Sequence, residues 1–235
     1  MPTRSSAFRT LLAGSLAFGL LGGSTRISRL EDDPTIYVQP LEGEMPSYYS
    51  NYNSSWVPLH RYDDFVAPQT GTLTQLTFWG KGWNFLQDDD CSLDGKVSNF
   101  IIDFYTWQTS ILCEWTPVTL IQRFVIPRSS VTKVFENPTG KLQYRYTLTL
   151  PDGFDIVEDE KYGMLVMAVL NDHSDPCVFV WSSASTVTGG AAWWLDTTNE
   201  TCTPSGSDQA FALYMAICVG DTDDNGEVGV NDLLG

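Results

Sequence analysis

The stretch KLQYRYTLTLP, Lys141 to Pro151, decides the fold class. Leu142, Tyr144, Tyr146, Leu148 and Leu150 alternate with Gln143, Arg145, Thr147 and Thr149. A period of two over nine residues is that of a β-strand with one face buried and the other wet. Pro151-Asp152-Gly153 follows with turn chemistry, so the strand is expected to end there. Outward from this stretch the same texture recurs. GTLTQLTFWGKGW, SNFIIDFYTW and VTLIQRFVIP precede it, and each is short, rich in β-branched or aromatic residues and bounded by turn signals. YGMLVMAVL follows and is apolar throughout, as a central strand buried on both sides would be. CVFVWSS, GGAAWWLD and DQAFALYMAIC complete a set of about nine or ten strands. Before the C-terminal stretch no segment holds a helical period, and no repeat of propeller or solenoid length occurs. The expected fold is therefore all-β, an antiparallel two-sheet sandwich of jelly-roll type.

The chain of 235 residues is long enough for one such domain with short extensions. Residues 1–24 are expected to be a signal peptide. Arg4 and Arg9 precede the apolar run LLAGSLAFGLLGG, which is too short to span a bilayer. Residues 25–55 read as a polar lead-in with one strand, residues 56–218 as the sandwich, and 219–235 as a separate calcium-loop segment. The expected location is secreted, extracellular or at the cell surface, with no membrane span after signal removal. Hydrophobic residues make up 43% of the chain, too many for a disordered one. Its 29 acidic and 13 basic residues give a net charge of −16. That balance argues against nucleic acid, whose phosphates require a basic face.

In an exported chain, Cys91, Cys113, Cys177, Cys202 and Cys218 are expected to form disulfides rather than metal sites. Pairing across neighbouring strands predicts Cys91–Cys113 and Cys177–Cys202, leaving Cys218 unpaired.

The C-terminal GDTDDNGEVGVNDLLG carries the strongest motif. Counted from Asp221, oxygen ligands fall at loop positions one, three, five and twelve, namely Asp221, Asp223, Asn225 and Asp232. Gly226 stands where the backbone must turn, Glu227 offers its carbonyl, and Val228 supplies the apolar contact that pins the loop. A hard cation needs six to eight oxygens, so this spacing predicts a Ca²⁺ site. With Asp at position twelve, a leading Gly-Asp and a trailing Asp-Leu-Leu, the segment resembles half of a type I dockerin, which has two such loops. The resemblance implies a cohesin-like or surface scaffold partner. A second acidic run, QDDDCSLDGK, places Asp88, Asp89, Asp90 and Asp94 in one loop, and it reads as a solvated turn tied down by Cys91.

The main body resembles a known type of protein at the scale of its strands. DDFVAPQTGTLTQLTFWGKGW, SNFIIDFYTW, YTLTLPDGFDIVEDEKYGMLVMAV, VFVWSSAS and DQAFALYM follow one another from Asp63 to Met215. This layout resembles the β-sandwich domains of exported bacterial proteins that carry a C-terminal sorting or docking tail. The resemblance implies export and the sandwich fold, not an activity.

Aromatic residues are the remaining functional signal. Trp79, Trp83, Trp107, Trp115, Trp181, Trp193 and Trp194 stand beside Tyr48, Tyr49 and Tyr52. Most tryptophans in a sandwich are core, but a flat exposed ring stacks on the apolar face of a sugar. Trp83 and the Trp193-Trp194 pair are expected beside Gly-rich turns, and they are the candidates to face a ligand. No catalytic residue is named. His60 and His173 are the two histidines, and no nucleophile elbow, zinc helix or phosphate loop is present. His173, with Asp172, Ser174 and Asp175, reads as a turn. Glu158 and Glu160, expected on one face of a strand, read as surface charge. The expected function is a secreted, non-catalytic sandwich attached to an assembly through its calcium-binding C-terminus. The alternatives are a carbohydrate-binding module using exposed Trp and a polysaccharide-degrading enzyme component.

Overall fold

The computed structural model describes residues 35–41, 47–52, 54–55, 59–108, 116–136, 143–184, 192–196, 201–204 and 207–215. In chain order its strands are β1 (Thr35–Gln39), β2 (Ser47–Tyr49), β3 (Leu59–Val66), β4 (Gly71–Asn84), β5 (Asp89–Cys91), β6 (Val97–Gln108) and β7 (Thr116–Pro127). Then come β8 (Thr132–Glu136), β9 (Gln143–Ile156), β10 (Lys161–Leu170), β11 (Cys177–Ser182), β12 (Trp193–Asp196), β13 (Thr201–Pro204) and β14 (Phe211–Met215).

The alternating stretch lies in β9. Tyr146, Leu148 and Leu150 are buried, whereas Arg145, Thr147 and Thr149 are partly or fully exposed, as the period of two requires. Gln143 departs from the pattern: it is buried, and its Nε2 donates to Ser182 Oγ. Pro151-Asp152-Gly153 does not end the strand. Pairing with β4 moves from Leu73↔Phe154 to Gln75↔Thr149, so the chain bulges there and β9 runs on to Ile156. Asp152 and Gly153 take φ of 62° and 67°, the left-handed region that turn residues tolerate. A Cβ at Gly153 would strike Thr72 Cγ2.

Two antiparallel sheets make up the sandwich. The larger has eight strands built on β4. Phe78 of β4 pairs with Tyr146 of β9 and with Phe211 of β14, while Trp83 pairs with Asp90 of β5 and Val178 of β11. Strands β1, β2 and β8 extend this sheet beyond β14, β11 and β9. The smaller sheet runs β13-β12-β3-β10-β6-β7. Both β1 and β2 come from the stretch that reads as a lead-in with one strand. Short strands such as β2 and β5 lack an apolar run of their own, which is why the described strands outnumber the nine or ten expected.

Between the sheets sits an aromatic core that includes Phe65, Phe78, Phe100, Phe104, Tyr146, Phe154, Phe179, Trp181 and Phe211. Phe104 of the smaller sheet and Phe154 of the larger stack at 4.1 Å between ring centres. The wholly apolar β10 lies between β3 and β6 and is buried on both faces. Met164, Val166 and Ala168 join the central core, and Leu165 and Met167 pack with Tyr62, Ile101 and Trp107 in a second cluster.

The disulfide expectation is corrected. Cys91 bonds to Cys177, with Cα atoms 6.0 Å apart and a sequence separation of 86. This excludes both Cys91–Cys113 and Cys177–Cys202. The reason is topological: β5 and β11 both pair with the end of β4, which sets Cys91 opposite Gly82 and Cys177 opposite Asn84. Cys113 and Cys218 lie outside the described residues, and Cys202 takes its place in β13 opposite Leu195.

Candidate ligand-binding face

Trp83 was expected to face a ligand because glycines flank it. In the structure those glycines form no turn: Gly80 and Gly82 lie within β4. Alternation turns Phe78, Gly80 and Gly82 toward the core and leaves Trp79, Lys81 and Trp83 on the outer face of the larger sheet. A Cβ at Gly80 would meet the core ring of Phe179 and approach Val180 O at 2.6 Å, so glycine is what lets β4 lie close to β11. Trp79 and Trp83 are both partly exposed. Four residues at the strand rise place their Cα atoms about 13 Å apart along β4.

Neighbouring strands fix the side chains of this row. Trp79 Nε1 donates to Glu136 Oε2 of β8 at 2.7 Å, and Glu136 Oε1 also takes Arg145 Nε of β9 at 3.2 Å. Lys81 Nζ pairs with Asp90 Oδ1 of β5 at 2.5 Å and stands 4.7 Å from the ring centre of Trp83. Beyond Trp83 the β4–β5 hairpin carries Phe85, which is 44% exposed and meets Tyr49 of β2 edge-on at 5.8 Å. Burial, aided by the charge of Asp88, raises the Tyr49 phenol above its usual range, so this hydroxyl stays protonated. The result is a strip of aromatic rings along one strand, with two cations matched by two carboxylates. Such a surface offers two partly exposed indoles, one of them with Lys81 over its ring, and fixed polar groups, and the charges nearest the rings are already neutralised by one another.

No family model matches the chain, and neither does any curated protein or solved structure.

The other expected site residues fall elsewhere. Trp193 stands opposite Tyr62 of β3 and Trp194 opposite Arg61, so these two belong to the smaller sheet and not to the strip. Trp107 and Trp181 are buried. The proposed calcium ligands Asp221, Asp223, Asn225, Glu227 and Asp232 lie outside the described residues. The second acidic run is drawn apart by cations: Asp90 goes to Lys81, while Asp94 takes Lys133 at 2.8 Å and Arg128 at 3.8 Å. Among the described residues no cluster of three or more His, Cys, Asp or Glu side chains is arranged to hold a metal. Glu158 and Glu160 are exposed in the tight connection between β9 and β10, not on one face of a strand. At His173 the turn closes as Ser174 N and Oγ both donate to Asp172 Oδ1, at 2.8 and 2.7 Å.

Sequence reading missed two sets of residues. Trp79, Glu136 and Arg145 complete the strip, and only Trp79 carried a local signal, its spacing of four from Trp83 on one strand. The second set is buried charge. On the smaller sheet Asp103 is fully buried and takes a bidentate pair from Arg123, with both contacts at 2.7 Å, plus the hydroxyl of Tyr105 at 2.9 Å. Near the start of β14, Asp63 accepts Gln209 N and Asp64 N, and Asp208 accepts Gln39 Nε2 at 3.2 Å. Arg61 lies beside them, with Gln209 Oε1 accepting its Nε and Nη2 in the amide orientation that satisfies both. Burial first, then the charge of Asp208, holds the Asp63 carboxyl well above the usual range.

Proposed function

We propose that this chain is a secreted, non-catalytic β-sandwich that binds glycan on the outer face of its larger sheet. The observation that carries the reading is the Trp79–Lys81–Trp83 row, two partly exposed indoles on one face of one strand, with Trp79 fixed by Glu136. A rigid aromatic plane on a strand gives contact area at little cost in side-chain entropy, and the C–H face of a pyranose is the matching surface. The carboxylates nearest the rings serve as partners of Lys81, Arg145 and Trp79, an arrangement that suits holding a ligand more than moving a proton. Export and attachment rest on the sequence: the N-terminal apolar run, and the calcium-loop spacing from Asp221 to Asp232 that resembles half a dockerin. In this reading the C-terminal segment binds Ca²⁺ and joins the protein to a scaffold, and the sandwich meets the polysaccharide.

The test is depletion of the purified protein from solution by a panel of insoluble polysaccharides. We expect retention on at least one of them, and loss of that retention in Trp79→Ala and in Trp83→Ala. Retention unchanged in both variants, or no retention on any member of the panel, would overturn the reading.

A further inference from the structure

The strip also indicates which class of glycan it takes, an inference that rests on the binding role proposed above. The charges around the two indoles cancel: Lys81 is paired with Asp90, and Arg145 with Glu136. The whole chain carries −16, so a polyanion approaching the face meets a repulsive field and finds no uncommitted cation in this row. The Cα atoms of Trp79 and Trp83 lie about 13 Å apart along β4, a span that one sugar ring does not bridge. Both are set on the central strand of the sheet, with Gly80 and Gly82 packed against the core behind them, so the separation is fixed before a ligand arrives.

We infer that the ligand is a neutral, unbranched polysaccharide lying parallel to β4, long enough to touch Trp79 and Trp83 together. Each indole takes one sugar face, and the covalent link between the sugars makes the second contact intramolecular. Affinity then rises stepwise with chain length, without any new type of contact. Neutrality of the ligand also means that binding does not depend on counterion release or on screening by salt.

The experiment is affinity electrophoresis and calorimetry of the full chain with two probe sets. One is a length series of neutral linear β-linked gluco- and xylo-oligosaccharides with their parent polymers, and the other is a set of polyuronates. We expect the neutral series to bind with an affinity that climbs roughly tenfold or more once the oligosaccharide spans both rings. Trp79→Ala should remove that step and keep the weak short-chain binding, and raising the salt should leave both unchanged. Preferential, salt-sensitive binding of polyuronates would overturn the inference while leaving a glycan-binding role intact. Full affinity for a monosaccharide would overturn it in the same way. Binding of neither set would overturn the inference and the proposed role together.

Discussion

Asp103 and Arg123 show what a single pair of residues contributes here. Asp103 is fully excluded from solvent on β6, and an isolated carboxylate there would be far too costly. Arg123 answers it from the next strand, directly opposite in register, and that carboxylate in turn raises the guanidinium's affinity for its proton. Removing the cation leaves a buried charge with only the Tyr105 hydroxyl, and because the guanidinium is partly exposed Arg123→Ala should cost about 2–3 kcal/mol, read from the urea midpoint. A loss within the range of an ordinary surface substitution would contradict the geometry. Gly80 is a steric case: Gly80→Ala pushes a methyl against Phe179 and the Val180 carbonyl, and about 1–3 kcal/mol of destabilisation is expected in the same assay. Legibility at this scale follows the range of the interaction. Trp83 was singled out for its flanking glycines, yet it is strand alternation in β4, not a glycine turn, that sets it on the outer face. Trp79's bond to Glu136 spans 57 positions, and Asp103's partner is 20 away, so neither follows from the neighbouring residues.

Among the elements, β9 and β10 were legible, the lead-in was read as one strand where β1 and β2 both lie, and β5 was not legible. β9 alternates from Tyr146 to Leu150, and β10 is apolar throughout because both of its faces are covered. The short strands derive their identity from partners: β2 is a strand because Val180 and Trp181 offer it a ladder, not because Ser47, Tyr48 and Tyr49 demand one. Pro151-Asp152-Gly153 misled for a related reason. Residues suited to a turn also suit a bulge, and pairing with β4 on both sides of the bulge decides between the two. The Cys91–Cys177 bond joins the β4–β5 hairpin to β11 and closes a long loop of chain, so its loss releases much unfolded-state entropy. Cys91→Ser with Cys177→Ser should therefore lower stability by about 2–5 kcal/mol. Because the hairpin carries Phe85 and the end of the aromatic strip, ligand affinity should fall along with it. Equal stability and equal affinity in the double variant would show that the bond is not what holds the hairpin.

For the molecule as a whole, charge sets the response to pH. Burial, only partly offset by Lys161 at 2.6 Å, raises the Asp64 carboxyl to about 6, and Asp63 is shifted in the same direction. Both acids hold their protons more tightly when folded than at the ordinary unfolded value of about 3.9. Their contribution to stability is thus fully present at low pH and is lost as pH rises through the folded values. Asp94, held below its usual range first by its hydrogen bond with Lys133, works the other way, but in a more acidic window than Asp64. Between pH 5 and 7.5 Asp64 alone should lower the unfolding free energy by on the order of 1 kcal/mol, the rest of its effect falling below pH 5, while His60, held below its usual range first by burial, works the other way in this window. Urea titrations at the two pH values should show that Asp64→Asn loses this contribution, and a variant whose change in stability with pH equals that of the wild type would refute the assignment. The sandwich class and the strongly acidic balance were plain in the sequence. The pairing of strands into eight and six, and the seam of buried acids, were not, because they arise where distant segments meet.

That the outer face of the larger sheet holds glycan through two indoles is tested most directly by hydroxyl-radical footprinting of the tryptophans, with and without a retained polysaccharide. Protection of Trp79 and Trp83, with Trp107 and Trp181 unchanged in their cores, is the predicted result. Protection of Trp193 or Trp194 instead, or oxidation of Trp79 and Trp83 at the same rate with glycan bound, would place the ligand elsewhere and contradict the account.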